Sequence, residues 1–375
     1  MTWLEDVAGR IGPLDAVAMS ATGARLDQLT KPPGSLGRLE TLAIQLAGIT
    51  GQALPRVDRP VVLVFAGDHG VTAHGVSAYP SAVTAQMVAN FVRGGAAVNV
   101  LARLAAAKVV AVDVGLAGPI PEVDGDVSVA PGARLVRARV ADGTRDMTIE
   151  PAMSRAEAVA AIDVGRSVVI DEIAADTDAV AVGEMGIGNT TAAAALVAAM
   201  TGRPAAEVTG RGTGLDEPGV RQKVEVVAAA LDRHRPDASD PLGALAAVGG
   251  LEIAALVGAI LAAAEARLPV VLDGFITGAA ALVATAIAPG AALRLIASHR
   301  SPEPGHRVVL DRLGLVPLLE LDLRLGEGSG AALALPLLGA ASAILAEMAT
   351  FDGASVSGPS GPRVAPGGNA TYPEA

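Results

Sequence analysis

The chain has 375 residues, a formal charge of −11 and no cysteine; 51% of its residues are hydrophobic, yet only seven are aromatic. No lysine- or arginine-rich stretch offsets the negative charge, which argues against broad binding to nucleic acid or anionic membranes and points to small-molecule partners. The missing cysteines exclude disulfides, thiolate catalysis and Cys-ligated zinc, and Met1 to Leu14 lacks a basic region followed by an apolar one, so a cytoplasmic protein is expected.

A core this poor in aromatics must be filled by Ala, Val, Leu and Ile, which implies close packing of helices on a sheet. The 44 glycines fit many strand-to-helix turns, since no G-X-Y period is present. The length allows two or three domains, and a single large α/β domain also reaches it.

Residues 1–55 read as helix and loop, with Leu36, Leu39, Leu42, Ala43 and Leu46 at helical spacing after the Lys31-Pro32-Pro33-Gly34-Ser35 turn. From Val61 the pattern changes. Short apolar runs of strand type stand at 61–66, 108–114, 178–183, 269–273 and 294–298, separated by helix-length stretches such as 84–107, 190–202 and 217–232. Such alternation predicts an α/β fold, a Rossmann-like, mainly parallel sheet with helices on both faces. Between 121 and 150 the chain is more polar, and Ala133 to Val140 alternates as an edge strand does. Three Ala/Leu-rich stretches, 253–264, 278–288 and 331–346, fall short of the ~18 residues a bilayer requires and read as buried helices. The expected organisation is a large α/β catalytic domain over 60–298, a smaller helical domain built from 1–59 and 299–352, and a disordered Gly/Pro-rich tail over 353–375.

Several constellations carry candidate chemistry. Gly67-Asp68-His69-Gly70 follows the first strand, and its Asp-His pair suits a metal pair, an acid/base couple or a hydrogen-bonded turn brace. Gly183-Glu184-Met185-Gly186-Ile187-Gly188-Asn189-Thr190-Thr191 offers backbone amides, an amide side chain and hydroxyls at the start of an alanine-rich helix, a pattern that suits phosphate or simple capping. Thr209 to Asp216 is a second glycine-rich loop, followed by Arg221 and Lys223, and suits a phosphate or carboxylate, an ordinary loop being the alternative. Val270 to Gly278 superficially matches the phosphoribosyl pyrophosphate loop of ordinary phosphoribosyltransferases, but Gly274 replaces the second acid after Asp273. Ser298-His299-Arg300-Ser301 with His306 suggests a nucleophilic triad, but no Gly-x-Ser-x-Gly elbow precedes it.

Glu184 and Glu327 are the sharpest candidates. Each is flanked by glycine, follows a strand-like run and precedes a helix-like one, which places a carboxylate at the carboxyl edge of a sheet, where open α/β folds bind ligands. Desolvation there raises a carboxyl pKa toward the range of a catalytic base. Three of the seven aromatics, Phe65, Tyr79 and Phe91, fall in one short segment suited to sandwiching a planar base.

Six ordered motifs resemble the family of nicotinate-nucleotide:5,6-dimethylbenzimidazole phosphoribosyltransferases: Lys31 to Glu40, Gly67 to Gly70, Asn90 to Ala97, Gly183 to Thr191, Gly210 to Asp216 and Gly326 to Gly330. The resemblance implies transfer of a 5-phosphoribosyl group from nicotinate mononucleotide to 5,6-dimethylbenzimidazole with inversion, in the assembly of the cobalamin nucleotide, without a cofactor or metal. It implies that Glu327 is the general base, that Glu184, Met185, Gly186, Gly188, Asn189, Thr190 and Lys223 hold ribose and phosphate, and that Tyr79, Gln86 and Phe91 face the benzimidazole. A homodimer is implied as well. The rival readings are a transferase dependent on phosphoribosyl pyrophosphate and a non-catalytic nucleotide- or azole-binding module.

Overall fold

The computed structural model describes residues 3–121 and 130–358. Six strands, β1 (Pro60–Gly67), β2 (Lys108–Gly115), β3 (Ala133–Arg137), β4 (Ala179–Met185), β5 (Val270–Leu272) and β6 (Leu295–Ala297), form one sheet in the order β3-β2-β1-β4-β5-β6, with every pair parallel. This is the doubly wound order, which reverses between β1 and β4 and opens a crevice beyond their carboxyl ends. The runs at 61–66, 108–114, 178–183, 269–273 and 294–298 all contain strands, and Ala133 begins the edge strand expected there. The strand-like run before Glu327 is no strand: among residues 315–327 only Leu319 makes an isolated bridge, to His299, so Glu327 sits on a loop rather than at a strand end.

The near-continuous apolar character of the central strands follows from burial on both faces. Val61, Leu63 and Phe65 belong to the core on one side, shared with helices Arg155–Ala174, Asn189–Thr201, Leu251–Glu265 and Phe275–Ile287. Val62, Val64 and Ala66 belong to the core on the other, under helices Ala82–Arg93, Ala97–Leu104 and Ser329–Glu347. The stretch 84–107 is two helices rather than one, because Gly94 adopts φ +76° and closes the first.

Helices Ala16–Leu26 and Arg38–Thr50, from the start of the chain, pack on each other and on Ser329–Glu347 near its end. The Lys31 motif serves this packing: Lys31 and Glu40, both buried, form a 2.8 Å ion pair, and Glu40 also accepts the N–H of Leu36. Removing one member would leave a buried charge unpaired, at a cost of about 3–5 kcal/mol. Ser329–Glu347 has the length and apolar composition to cross a bilayer, but it lies against β1, β4 and β5 as a core helix. Helix Pro304–Leu313 packs on Phe275–Ile287 and Asn189–Thr201, beside the sheet. Of the tail, Gly353 to Gly358 is described and residues 359–375 lie outside the described residues.

Candidate active site

β4 ends at Glu184 and Met185, and the chain turns through Gly186 and Gly188 into helix Asn189–Thr201. Glu184 is still in register with Phe65 of β1, so its backbone is fixed by the ladder, and its carboxylate accepts a short hydrogen bond from the Asn189 side-chain amide. Burial pushes the Glu184 carboxyl up to about 8, with the negative charges of Asp273 and Glu252 adding to the effect and Asn189 opposing it.

The second glutamate is held differently. Gly326, Glu327 and Gly328 have φ of +82°, +65° and +83°, three successive residues in the left-handed region. Glycine occupies it freely; glutamate there is strained, which marks a conformation imposed by surroundings. A Cβ on Gly326 would stand 2.7 Å from Glu184 Oε1, and one on Gly183 would strike the backbone of Gly328. The two glycine-rich turns therefore touch backbone to backbone, which is why both are glycine-rich. Among the described residues nothing hydrogen-bonds the Glu327 carboxylate, whereas burial, reinforced by Asp273, pushes it up to about 7.

Around these acids is a cleft of about 540 Å³, within the range of small-molecule sites. Glu184, Met185, Gly186, Asn189 and Thr190 line it, as do Glu327 and the exposed Tyr79. Lys223 stands behind the lining, fully buried, with Nζ 2.6 Å from Thr190 Oγ1. Burial pulls its ammonium down to about 8 while Glu303 resists. A buried cation at the amino end of a helix favours an anion, and an anion there would restore the lysine's charge. Gly188, with φ +94°, caps that helix and does not line the cleft.

Two expected base contacts do not reach the cleft. Phe91 is fully buried in the core under β1 and β2; the exposed face of its helix carries Gln86, also outside the lining. Val83 and Met87, on the two preceding turns of the same helix, line the cleft instead; Phe91, one turn further along, has passed the cleft and packs into the core.

Asp68 and His69 form a brace. His69 Nε2 is 2.8 Å from Glu252 Oε1, both buried, while Asp68 accepts the Ala117 N–H at 2.9 Å. Burial alone would lower the His69 pKa, but Glu252 raises it above the ordinary value. The ring stands behind Gly186, where a Cβ would lie 3.3 Å from Nε2, so it backs the loop without lining the cleft. Among the described residues no three His, Asp or Glu side chains are grouped to hold a metal ion.

Sequence reasoning undervalued Asp273 and His299, which both line the cleft. His299 Nδ1 stands 3.1 Å from Ser298 Oγ, which donates to the Asp273 carbonyl oxygen, so the serine is buried and committed, with no nucleophile's access. Asp273 accepts the N–H groups of Gly328, Gly330 and Ala331. The available signal was its place at the end of a strand, the position that singled out Glu184.

A family model described as Phosphoribosyltransferase matches residues 11–356. Nicotinate-nucleotide–dimethylbenzimidazole phosphoribosyltransferase of Roseiflexus sp. (strain RS-1) is 54% identical over 358 residues, 96% of this chain and 99% of that protein. The protein of the same name from Salinispora tropica is 52% identical over 360 residues, covering 94% and 99%. The crystal structure of the Thermus thermophilus enzyme of that name superposes with a TM-score of 0.84 at 48% identity, covering 92% of this chain and all of that one. The chain belongs to the nicotinate-nucleotide–dimethylbenzimidazole phosphoribosyltransferase family.

Proposed function

We propose that this protein transfers the 5-phosphoribosyl group of nicotinate mononucleotide to 5,6-dimethylbenzimidazole, releasing nicotinate and α-ribazole 5′-phosphate. The observation that carries the reading is the Glu327 carboxylate: it lines the cleft and has no hydrogen-bond partner among the described residues, and burial pushes it up to about 7, the range that suits a general base. It takes the N–H proton of the imidazole ring, and the ring's other nitrogen attacks C1 of the ribose as the bond to the nicotinate nitrogen breaks. The bonding pair returns to the pyridinium ring, which leaves as neutral-ring nicotinate. Attack from the face opposite the leaving group inverts the centre from β to α.

The 5′-phosphate sits at the amino end of helix Asn189–Thr201, where Thr190 meets it with the buried Lys223 charge behind, and Gly186, Met185 and Asn189 shape the ribose floor. Glu184, committed to Asn189, orients the ribose rather than moving a proton. Tyr79, Val83 and Met87 line the cleft and flank the benzimidazole. We read residues 60–298 as the large α/β unit, its cleft completed by His299 and the turn carrying Glu327, and the helices from both chain ends as a smaller unit. A homodimer is part of the same reading on family likeness, with sedimentation as its check. So is a cytoplasmic location, since a phosphomonoester does not cross a bilayer unaided.

The test is nicotinate release from nicotinate mononucleotide, with and without 5,6-dimethylbenzimidazole, in EDTA, with products followed by mass spectrometry. Azole-dependent release with formation of α-ribazole phosphate is expected. Activity only with phosphoribosyl pyrophosphate and Mg²⁺, or nucleotide binding with no release, would overturn the reading.

A further inference from the structure

The left-handed turn that presents Glu327 needs something to hold it. Its glycines confer freedom rather than rigidity, and the glutamate itself disfavours φ +65°. The restraint comes from the sheet. Asp273 stands one residue past β5, and its carboxylate accepts three backbone N–H groups: Gly328 at 3.1 Å on Oδ2, Gly330 at 2.7 Å and Ala331 at 3.1 Å on Oδ1. These are the donors of the turn and of the first residues of helix Ser329–Glu347, which otherwise lack partners within the helix. His299 closes the other side: its Nδ1 is 3.9 Å from Asp273 Oδ1, and its ring lies where any side chain on Gly330 would go. Asp273 is 1% exposed, so none of these bonds is shared with solvent.

We propose that Asp273 is a positioning residue for the reaction: its carboxylate, anchored at the end of β5, clamps the backbone of Gly328 to Ala331 and thereby fixes Glu327 in the cleft. This rests on the reading of Glu327 as the base. A fixed base is worth more than a mobile one, because misplacement by about 1 Å costs on the order of 10²-fold in rate. The clamp also shapes the base's titration. The titratable groups around Glu327 are Asp273 from just past β5, Glu184 from β4, His299 from beyond β6, Glu303, and Asp322 and Arg324 on its own loop. Of these, Asp273 is the neighbour that pushes Glu327 upward after burial itself.

The experiment is a kinetic cycle of Asp273→Asn, Glu327→Gln and the double variant, with kcat followed against pH. Asp273→Asn should lower kcat by on the order of 10²-fold, leave the KM for nicotinate mononucleotide within about threefold, and move the acid limb to lower pH because a negative neighbour has gone. In the Glu327→Gln background the same substitution should cost less than about threefold, since there is no base left to position. Additive losses with an unmoved acid limb would overturn the clamp while leaving Glu327 as the base; Glu327→Gln with unchanged turnover would overturn the base itself. Should Asp273→Asn fail to fold, amide hydrogen exchange on the unaltered protein decides: slow exchange at Gly328, Gly330 and Ala331 supports the clamp, and solvent-like exchange there removes it.

Discussion

Glu184 and Glu327 occupy similar stretches of sequence, Gly-Glu-Met-Gly and Gly-Glu-Gly-Ser, and their backbones touch, but the fold treats them differently. Glu184 ends a strand, its position set by the ladder with β1 and its carboxylate spent on Asn189. Glu327 stands off the sheet in a left-handed turn, its carboxylate unpaired among the described residues. Burial raises both, to about 8 and about 7. The lesson is that a raised carboxyl pKa does not by itself identify the base; freedom from a hydrogen-bond partner separates the acid that organises the site from the one able to accept a proton.

The strongest way to break this contrast is Glu327→Gln. It should lower kcat by about 10²- to 10⁴-fold with little change in nucleotide affinity, and remove the acid limb that otherwise falls below about pH 7. Loss of nucleotide binding in equal measure would contradict the assignment. Gly183→Ala comes next, since the added methyl meets the Gly328 backbone rather than a side chain able to move. It should cost on the order of 10² in kcat by displacing the base, and a lowered Tm should accompany it; wild-type turnover would show that the two turns are not mechanically joined.

Glu184→Gln sharpens the comparison through stability. A carboxyl raised to about 8 in the folded protein, against an ordinary 4.5, binds more protons folded than unfolded between those values, so its contribution declines as pH rises through that window. The glutamine variant should therefore melt higher than wild type at pH 9, by roughly 2 °C or more, and the gap should close at pH 5. A variant that melts lower at both pH values would mean that the Asn189 bond outweighs the burial cost. The smallest effect is expected of Phe91→Leu: about 1–2 kcal/mol of stability and no change in the KM for the azole, because Phe91 fills a core and not the cleft.

Much of the architecture could be read from residue order. Strand-length Val/Ala runs spaced by helix-length stretches imply a parallel sheet, because strands buried on both faces need continuous apolar character and a crossover between them. Glu184 was legible as an acid at a strand end for the same reason, whereas Glu327 was legible only from its flanking glycines, since it stands on a loop and not on a strand. What escaped was how far along a helix the cleft extends, and long-range pairing. Phe91 and Met87 lie one turn apart on a helix, and packing decides at which turn that helix leaves the cleft for the core; likewise nothing in the local sequence pairs Glu252 with His69, 183 positions away.

By itself, the sequence determined the fold class, the two catalytic-type turns and the family, since each rests on local pattern or on ordered motifs. Only the tertiary structure decided which acid is left free, that Lys223 reaches Thr190, and that Asp273, read as a fragment of a pyrophosphate loop, grips the turn carrying Glu327. The last two relations join residues from 33 to 58 positions apart, and their distances depend on how strands and helices pack rather than on any segment's own preference.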